Sequence, residues 1–327
     1  MKKQLIHIID SFFLLRPVLL APVWTIVILG WIVNSPQLSL GSLPWNAIGA
    51  AAHEYSLWKL VGGFSLIVAW IYLVNQIMDV ESDRINHKLF ILSDGLVSIR
   101  SAWIQAVLFA VCGVGIAVTV GLVIAILFVI GIVLGYLYNC PPVKLKNSAW
   151  GGLFANALGH GIVTFLIGWC GAAIALGKEL SLVQGLVSSL SPALGNAAIY
   201  LATTIPDCDG DEKTGKKTFC VVYGARSTAV VALVACLLTF GLSFLMASHQ
   251  WIMAVPAGIS LLFFGYFAIK PKGTAAFKAI KWPVFILSLC MAVYFPLYAL
   301  LILFVFVVTR TYYHCRFKIS YPTFKSR

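Results

Sequence analysis

The sequence predicts an all-α, polytopic membrane protein, and three properties of the chain indicate this fold class. Of its 327 residues, 61% are hydrophobic and 10% are charged, and the mean hydropathy is +0.95. Soluble proteins carry about a quarter of their residues as charged side chains, so this chain has too little polar surface to cover a globule in water. Its apolar residues form continuous runs of about 20, the length of a helix that crosses a bilayer. These properties exclude a cytosolic enzyme, and the scatter of basic residues between apolar runs argues against nucleic-acid binding despite the net charge of +12.

Nine apolar runs are predicted, each as one membrane-spanning helix. Continuous runs are typical of helices, whereas a membrane β-barrel would show short segments of alternating polarity. The runs cover residues 17–34, 57–77, 101–118, 120–138, 151–176, 183–205, 227–248, 251–270 and 282–309.

Lysine and arginine residues predict which ends of the helices face the cytoplasm, because cytoplasmic loops are enriched in both. With the N-terminus inside, sixteen of them lie on the cytoplasmic side, and only Lys59 and Lys178 lie in the opposite loops. The five basic residues of the C-terminal tail would lie outside after nine crossings, which conflicts with this rule. A further break near Pro296, or tolerance of a tail that is inserted last, would resolve the conflict. The loops predict a multi-pass protein, of the inner membrane in a prokaryotic cell, with a cytoplasmic N-terminus.

Acidic residues are concentrated at two places in the chain. Seven of the eleven Asp and Glu residues fall in two short segments, at the predicted cytoplasmic ends of the second and sixth runs. Carboxylates at a membrane surface are costly unless they have a partner such as a bound cation. The two segments contain Asp79, Glu81 and Asp83, and then Asp207, Asp209, Asp211 and Glu212.

The spacing within these segments indicates a metal–diphosphate site. Asn75, Asp79 and Asp83 are four residues apart and would line one face of a helix, and the pair that follows Pro206 repeats this step. Oxygen ligands without histidine or thiolate suit Mg²⁺, which proteins hold with one or two carboxylates, water and substrate phosphates. Basic residues beside each segment would help to clamp a diphosphate between two metal ions, namely Arg84 and Lys88 at the first and Lys213, Lys216 and Lys217 at the second.

Two other interpretations of the acidic segments are open. The residues are ordinary helix-end acids that balance nearby lysines, or they form the ion path of a divalent cation transporter. A transport site usually lies near the bilayer midplane, whereas both segments are predicted at one surface. The neighbouring lysines would repel a cation but attract a diphosphate, so the pattern favours an enzyme.

The two acidic segments resemble the aspartate-rich motifs of the UbiA-type intramembrane prenyltransferases. NQIMDVESDRIN (75–86) follows that family's N-x-x-x-D-x-x-x-D pattern, and IPDCDGDEKTGKKT (205–218) follows its D-x-x-x-D pattern with a trailing G-x-x-T. The resemblance covers nearly the whole chain, including Arg16-Pro17 and YNCPPVKLK (138–146), and the motifs are most similar to the branch that includes homogentisate prenyltransferases. It implies one family domain over residues 1–327, with about nine helices around a central cavity.

The resemblance also implies roles for individual residues. It assigns metal and diphosphate binding to Asn75, Asp79, Asp83, Asp207 and Asp211, and diphosphate contact to Tyr138, Lys144 and Lys146. The sequence departs from the family after the first motif, where NHKLFILSDG (86–95) has Phe90 in the place of the usual arginine. Either Lys88 supplies the missing positive charge or this loop closes differently. The departure affects substrate selectivity more than the class of reaction.

The predicted function is Mg²⁺-dependent transfer of a polyprenyl group from its diphosphate to a lipophilic acceptor, with two Mg²⁺ ions. An aromatic acceptor of the quinone or tocopherol type is expected, and a glycerol-phosphate ether lipid precursor is the alternative. Asn156 and His160 lie in the small-residue segment NALGHG of the fifth run. Asn156 and His160 are each expected to contact the diphosphate or the acceptor. Such segments also permit close helix packing.

Overall fold

A computed structural model of the protein describes residues 2–36, 48–85 and 90–322, and most of these residues are helical. Short 3₁₀ turns at Pro17–Leu19 and Leu145–Asn147 and a π-helical turn at Ala157–Val163 interrupt the α-helices. The helices are α1 (Lys2–Phe13), α2 (Leu20–Val33), α3 (Ile48–Ile85), α4 (Phe90–Ser93), α5 (Ile99–Val120), α6 (Leu122–Asn139), α7 (Ala149–Asn156), α8 (Thr164–Ala175), α9 (Leu182–Thr203), α10 (Cys208–Lys213), α11 (Phe219–Ser243), α12 (Trp251–Ile269), α13 (Gly273–Tyr294) and α14 (Pro296–Phe317).

The predicted all-α, polytopic fold is confirmed, with ten helical segments in the described residues that are long and apolar enough to cross a membrane. Three segments differ from single α-helices. Leu5–Val33 joins α1 to α2, Tyr55–Glu81 is the central part of α3, and Ala149–Ala175 comprises α7, the π-helical turn and α8. The other seven are α5, α6, α9, α11, α12, α13 and α14.

The count of ten corrects the predicted nine, because the run 282–309 is divided between two helices. The division falls at Phe295-Pro296, where α13 has ended and Pro296 is the first residue of α14. Proline is well tolerated at a helix start because it has no backbone N–H to pair. An even number of crossings returns the C-terminal tail to the side of the N-terminus, which removes the conflict in the distribution of basic residues.

Direct contacts bring the two termini to the same end of the bundle. The carboxylate of Asp10 in α1 is buried, accepts a hydrogen bond of 2.7 Å from the Tyr312 hydroxyl and pairs with Arg316 at 3.2 Å. The ring of Phe13 stacks on that of Tyr312, with 3.7 Å between the ring centroids. The C-terminal half of α14 is thereby attached to α1.

The core of the bundle forms where α2 crosses α8 at glycine residues. A Cβ atom on Gly30 would overlap the backbone of Phe165, and one on Gly168 would overlap the backbone of Val27. Small residues at a crossing let two membrane helices approach to backbone contact. The large buried side chains of Trp169, Phe165 and Ile28 fill the space around this contact.

The lengths of two helices determine where the acidic segments lie. The 38 residues of α3 extend over about 57 Å, which exceeds the hydrocarbon thickness of about 30 Å, so its C-terminal turns project beyond the bilayer core. Helix α9 instead stops at Thr203, and a turn leads into the short helix α10. One motif therefore continues a spanning helix, and the other lies on a separate piece of helix outside the span.

Candidate active site

The first motif forms one face of α3, as its spacing predicts. The side chain of Asn75 donates hydrogen bonds to Asp79 at 3.3 Å and to Asn139 at 2.7 Å. The buried ammonium group of Lys146 donates to Asp79 at 2.6 Å and to the same Asn139 oxygen at 3.4 Å. Two other segments of the chain, the end of α6 and the turn at Leu145–Asn147, therefore hold this face in place.

The orientation of both amides follows from the lysine. Because an ammonium group can only donate, the Asn139 atom next to Lys146 must be the oxygen Oδ1, and Asn139 uses its Nδ2 to donate to the carbonyl of Gly135. Asn75 must then donate to that oxygen through its own Nδ2. The amide oxygen of Asn75 has no hydrogen-bond partner within the described segments and is left to bind a ligand.

The second motif is one turn of helix closed by its own backbone. Asp207 precedes α10, and the amide of Asp211 donates to its carbonyl at 2.8 Å. The helix ends in a Schellman motif, in which Gly215 has φ 72° and the amide of Lys216 donates to the carbonyl of Asp211 at 2.9 Å. This turn directs Lys216 back toward Asp211, and the two side chains lie 3.6 Å apart.

Backbone contacts join the two motifs at the same end of the bundle. The amide of Lys217, just after the second motif, donates to the carbonyl of Asn147 at 3.1 Å, and Asn147 is next to Lys146. As a result, the charge of Lys216 acts on Lys146, so the two Lys–Asp pairs are electrostatic neighbours. The charges of Asp79 and Asp211 both act on the hydroxyl of Tyr138, which places that hydroxyl near both motifs.

Burial shifts the pKa values of two groups at this site. Desolvation lowers the pKa of Lys146, and its contact with Asp79 opposes this shift without cancelling it. Desolvation raises the pKa of Asp211, the neighbouring charge of Asp207 adds to this effect, and Lys216 opposes it. In both groups, partners of opposite sign favour the charged form against desolvation, and such perturbed pKa values are common at functional sites.

The remaining predicted residues differ in how near they lie to this centre. The Tyr138 hydroxyl hydrogen-bonds the side chain of Asn156, so Asn156 belongs to the site. Arg84 lies one residue after Asp83 and donates to the carbonyl of Ser93 at 3.0 Å, which ties α3 to α4. Lys144, with φ 46°, begins the turn at Leu145–Asn147. The side chains of Lys213 and Lys217 are exposed, and Lys88 lies outside the described residues.

The sequence prediction missed two residues of the site. Asn139 is fully buried and connects Asn75 with Lys146, and Tyr200 has its hydroxyl so close to Gly152 that a Cβ atom there would overlap it. Signals for both exist in the sequence. Asn139 is an amide at the end of an apolar run, and Tyr200 comes seven residues, about two helical turns, before Asp207.

The donor set fits a hard cation. The two motifs present carboxylates and one amide oxygen, and Mg²⁺ prefers such ligands. In the described part of the chain, no three His, Cys, Asp or Glu side chains come close enough together to enclose an ion. A cation here would therefore be completed by water and substrate oxygens, which is how Mg²⁺ binds in phosphate-processing sites.

The fold and the site together define a multi-pass membrane protein with two facing Lys–Asp pairs at one end of its helical bundle. The chain belongs to the UbiA prenyltransferase family, whose sequence profile matches residues 23–289. It is 30% identical to the 2-acyl-4-prenylphloroglucinol 6-prenyltransferase of Humulus lupulus over 177 residues, which cover 51% of this chain and 42% of that protein. It is 29% identical to the probable homogentisate phytyltransferase 2 of Oryza sativa subsp. japonica over 201 residues, which cover 61% of this chain and 50% of that protein. The matches span about half the length of these curated relatives.

A solved structure has the same fold. A UbiA homolog from Archaeoglobus fulgidus, solved with DMAPP and Mg²⁺ bound, superimposes with a TM-score of 0.63 at 17% sequence identity. The superposition covers 89% of this chain and 99% of that one. The family and the all-α membrane fold predicted from the sequence are thereby confirmed.

Proposed function

We propose that the protein is an intramembrane prenyltransferase that moves a polyprenyl group from its diphosphate to a lipophilic aromatic acceptor. The observation that carries the proposal is the pair of Lys–Asp contacts, Lys146 with Asp79 and Lys216 with Asp211, which meet at one end of an apolar bundle. Carboxylates to hold cations and lysines to hold phosphate oxygens are both needed to bind a metal–diphosphate substrate.

The carboxylates of both motifs, together with the amide oxygen of Asn75, would hold Mg²⁺. The Archaeoglobus fulgidus homolog with DMAPP and Mg²⁺ supports this assignment, and we propose two ions because there are two motifs. Bound Mg²⁺ would neutralise the negative charge that develops on the diphosphate as it leaves. The four carboxylates are those of Asp79, Asp83, Asp207 and Asp211.

The side chains around the metal site would bind and orient the diphosphate. Lys146 and Lys216 would donate hydrogen bonds to its oxygens, as would the Tyr138 hydroxyl, and Arg84, Lys144, Lys213 and Lys217 would add positive charge at the mouth. When the allylic C–O bond breaks, its electron pair leaves with the diphosphate, which these donors stabilise. A carbon of the electron-rich acceptor then bonds to the allylic carbocation and loses a proton to a nearby base.

The membrane part of the bundle suits the hydrocarbon part of the substrate. An allylic cation must be kept from water, which would otherwise convert it to an alcohol. A cavity lies between α2, α9, α11, α12 and α13, and apolar side chains such as Ile26, Met253 and Phe264 line most of it. We expect the prenyl chain to extend into such apolar space while its diphosphate stays at the metal site.

The proposed acceptor class and membrane orientation rest on different observations. Homogentisate and acylphloroglucinols, which appear in the names of the two relatives, are phenols and support an aromatic acceptor, with a glycerol-phosphate lipid precursor as the alternative. With ten crossings, all Lys and Arg residues except Lys59 and Lys178 belong to the end that carries the motifs. By the positive-inside rule, the site then faces the cytoplasm, at the inner membrane in a prokaryotic cell.

The test is pyrophosphate release by the purified protein in detergent. Geranylgeranyl diphosphate and Mg²⁺ are supplied with homogentisate, with 4-hydroxybenzoate, with a geranylgeranylglyceryl phosphate acceptor or with no acceptor, and each reaction is repeated with EDTA. We expect EDTA-sensitive release that depends on an aromatic acceptor. Release with only the glycerol-phosphate acceptor would overturn the acceptor class. Failure to bind the diphosphate at all would overturn the enzyme assignment and favour a transporter.

A further inference from the structure

A column of polar residues leads from the metal site into the membrane. Gly152, Asn156 and His160 follow one another at steps of four along the fifth membrane segment, so they share one face. The Tyr200 hydroxyl lies over Gly152, Tyr138 bonds Asn156, and the side chain of Asn196 reaches the backbone carbonyl of His160 at 3.4 Å. Asn196 and Tyr200 are also four residues apart, on α9, so two polar faces oppose each other across this space.

His160 lies in the π-helical turn at Ala157–Val163. Such turns are less favourable than regular α-helix and often occur at functional sites. Here the turn is supported from outside, because the Thr164 hydroxyl donates to the carbonyl of Gly159 at 2.8 Å and Gly161 touches the backbone of Ala193. The supports act on the backbone of the turn and leave the imidazole of His160 uninvolved.

The imidazole of His160 is deep in the bundle but lacks a protein partner. Its ring makes no hydrogen bond or ion pair with any part of the chain that the structure describes, and only its backbone carbonyl is bonded. The residue nevertheless keeps part of its surface accessible, so a ligand could reach it. A buried polar group without a partner is costly, and a polar side chain within a membrane segment usually has a functional partner.

We propose that His160 binds a hydroxyl group of the aromatic acceptor and so positions its ring for attack. This inference rests on the proposed function. Asn196, which contacts His160, is seven residues or about 10 Å from Thr203, where α9 ends before the second motif. In the proposal, the reacting end of the diphosphate and one aromatic ring occupy this separation between the carboxylates and the imidazole. A glycerol-phosphate acceptor has no phenolic hydroxyl for the imidazole of His160 to bind.

The test compares His160→Phe and His160→Gln with the wild type, with homogentisate as the probe and geranylgeranyl diphosphate as the donor. We expect His160→Phe to raise the KM for homogentisate about tenfold, the effect of losing one good hydrogen bond. The KM for the donor and the slow pyrophosphate release without acceptor should not change. His160→Gln should recover part of the loss because its amide can donate and accept. His314→Ala, which alters an exposed histidine of α14, is the matched control.

A second measurement compares the binding of acceptor analogues, and its wild-type part applies even if the Phe variant does not fold. Homogentisate carries two phenolic hydroxyls, and analogues that lack one of them are 2-hydroxyphenylacetate and 3-hydroxyphenylacetate. We expect one analogue to bind to the wild type about tenfold more weakly than homogentisate does. The same analogue should bind to the His160→Phe variant no more weakly than homogentisate does. Equal binding of both analogues and homogentisate to the wild type would overturn the proposal. A parallel change in the KM for homogentisate and the KM for the donor in His160→Phe would also overturn it, because such a change indicates a structural role. In both cases acceptor-dependent pyrophosphate release would still support the proposed function.

Discussion

The two aspartate motifs have the same spacing but different structural support. Asp79 lies on a helix of 38 residues and contacts Lys146, whose side chain is 7% exposed. Asp211 lies on a helix of six residues, and its partner Lys216 is 26% exposed. The first motif is held by side chains from three segments of the chain. The second is held mainly by the backbone of its own turn.

This difference indicates that the motifs contribute differently to one site. The first is pre-organised, because its carboxylate, amide and lysine positions are fixed before any ligand binds. A short helix with few buried contacts belongs to the less stable part of a fold, so the second motif can adjust as the diphosphate enters. A site with one fixed and one adjustable side can admit a bulky substrate and then close around it.

The largest expected effect is the same for both motifs, although their structural support differs. Replacing either Asp79 or Asp207 with Asn should lower pyrophosphate release about a thousandfold or more, because each change removes a carboxylate that would hold the Mg²⁺ whose charge stabilises the leaving group. The Asn side chain has nearly the same shape, so both variants should still fold and insert. The measurement is the rate at saturating Mg²⁺ and donor.

The control for this pair is Glu81→Gln, because Glu81 is exposed and lies two residues from Asp79, on another face of α3. It should keep nearly all of the wild-type rate. A near-wild-type rate in either aspartate variant would contradict the assignment of both motifs to metal binding.

Two lysine variants should show an intermediate effect that differs between the motifs. Lys146→Gln should lower kcat/KM for geranylgeranyl diphosphate about a hundredfold, because it removes a buried positive charge 2.6 Å from Asp79. Lys216→Gln should lower it no more than about fivefold, because a partly exposed pair at 3.6 Å is worth about 1 kcal/mol or less. Equal losses in the two variants would show that the motifs are equally organised.

The sequence allowed the acidic faces to be predicted but not what lies against them. A step of four residues places Asn75, Asp79 and Asp83 on one helix face in any tertiary setting. The bond from Asn75 to Asn139 joins residues 64 positions apart, and no local pattern specifies which helices become neighbours. The class of site could therefore be predicted, whereas its organising amide could not.

The number of helices was underestimated for a related reason. Prolines occur inside α9, α12 and α13 at Pro192, Pro256 and Pro283 without ending those helices. Pro296, by contrast, begins a new span. Neighbouring helices in a bundle stabilise a helix across a proline, so the residue type alone does not reveal where the chain turns.

The smallest expected effect concerns the turn that closes the second motif. Gly215 has φ 72°, a conformation that costs a residue with a Cβ atom about 1 kcal/mol. Gly215→Ala should therefore increase local opening of residues 207–217 about fivefold, seen as faster amide exchange by mass spectrometry, while residues 75–85 are unaffected. Gly210→Ala is the matched control, because Gly210 lies within α10, where a Cβ atom has open space around it. Alanine favours helix over glycine, so exchange there should slow or stay the same. If Gly215→Ala instead accelerated exchange in both motifs equally, the two would form one cooperative unit, and the contrast between a fixed and an adjustable side would be wrong.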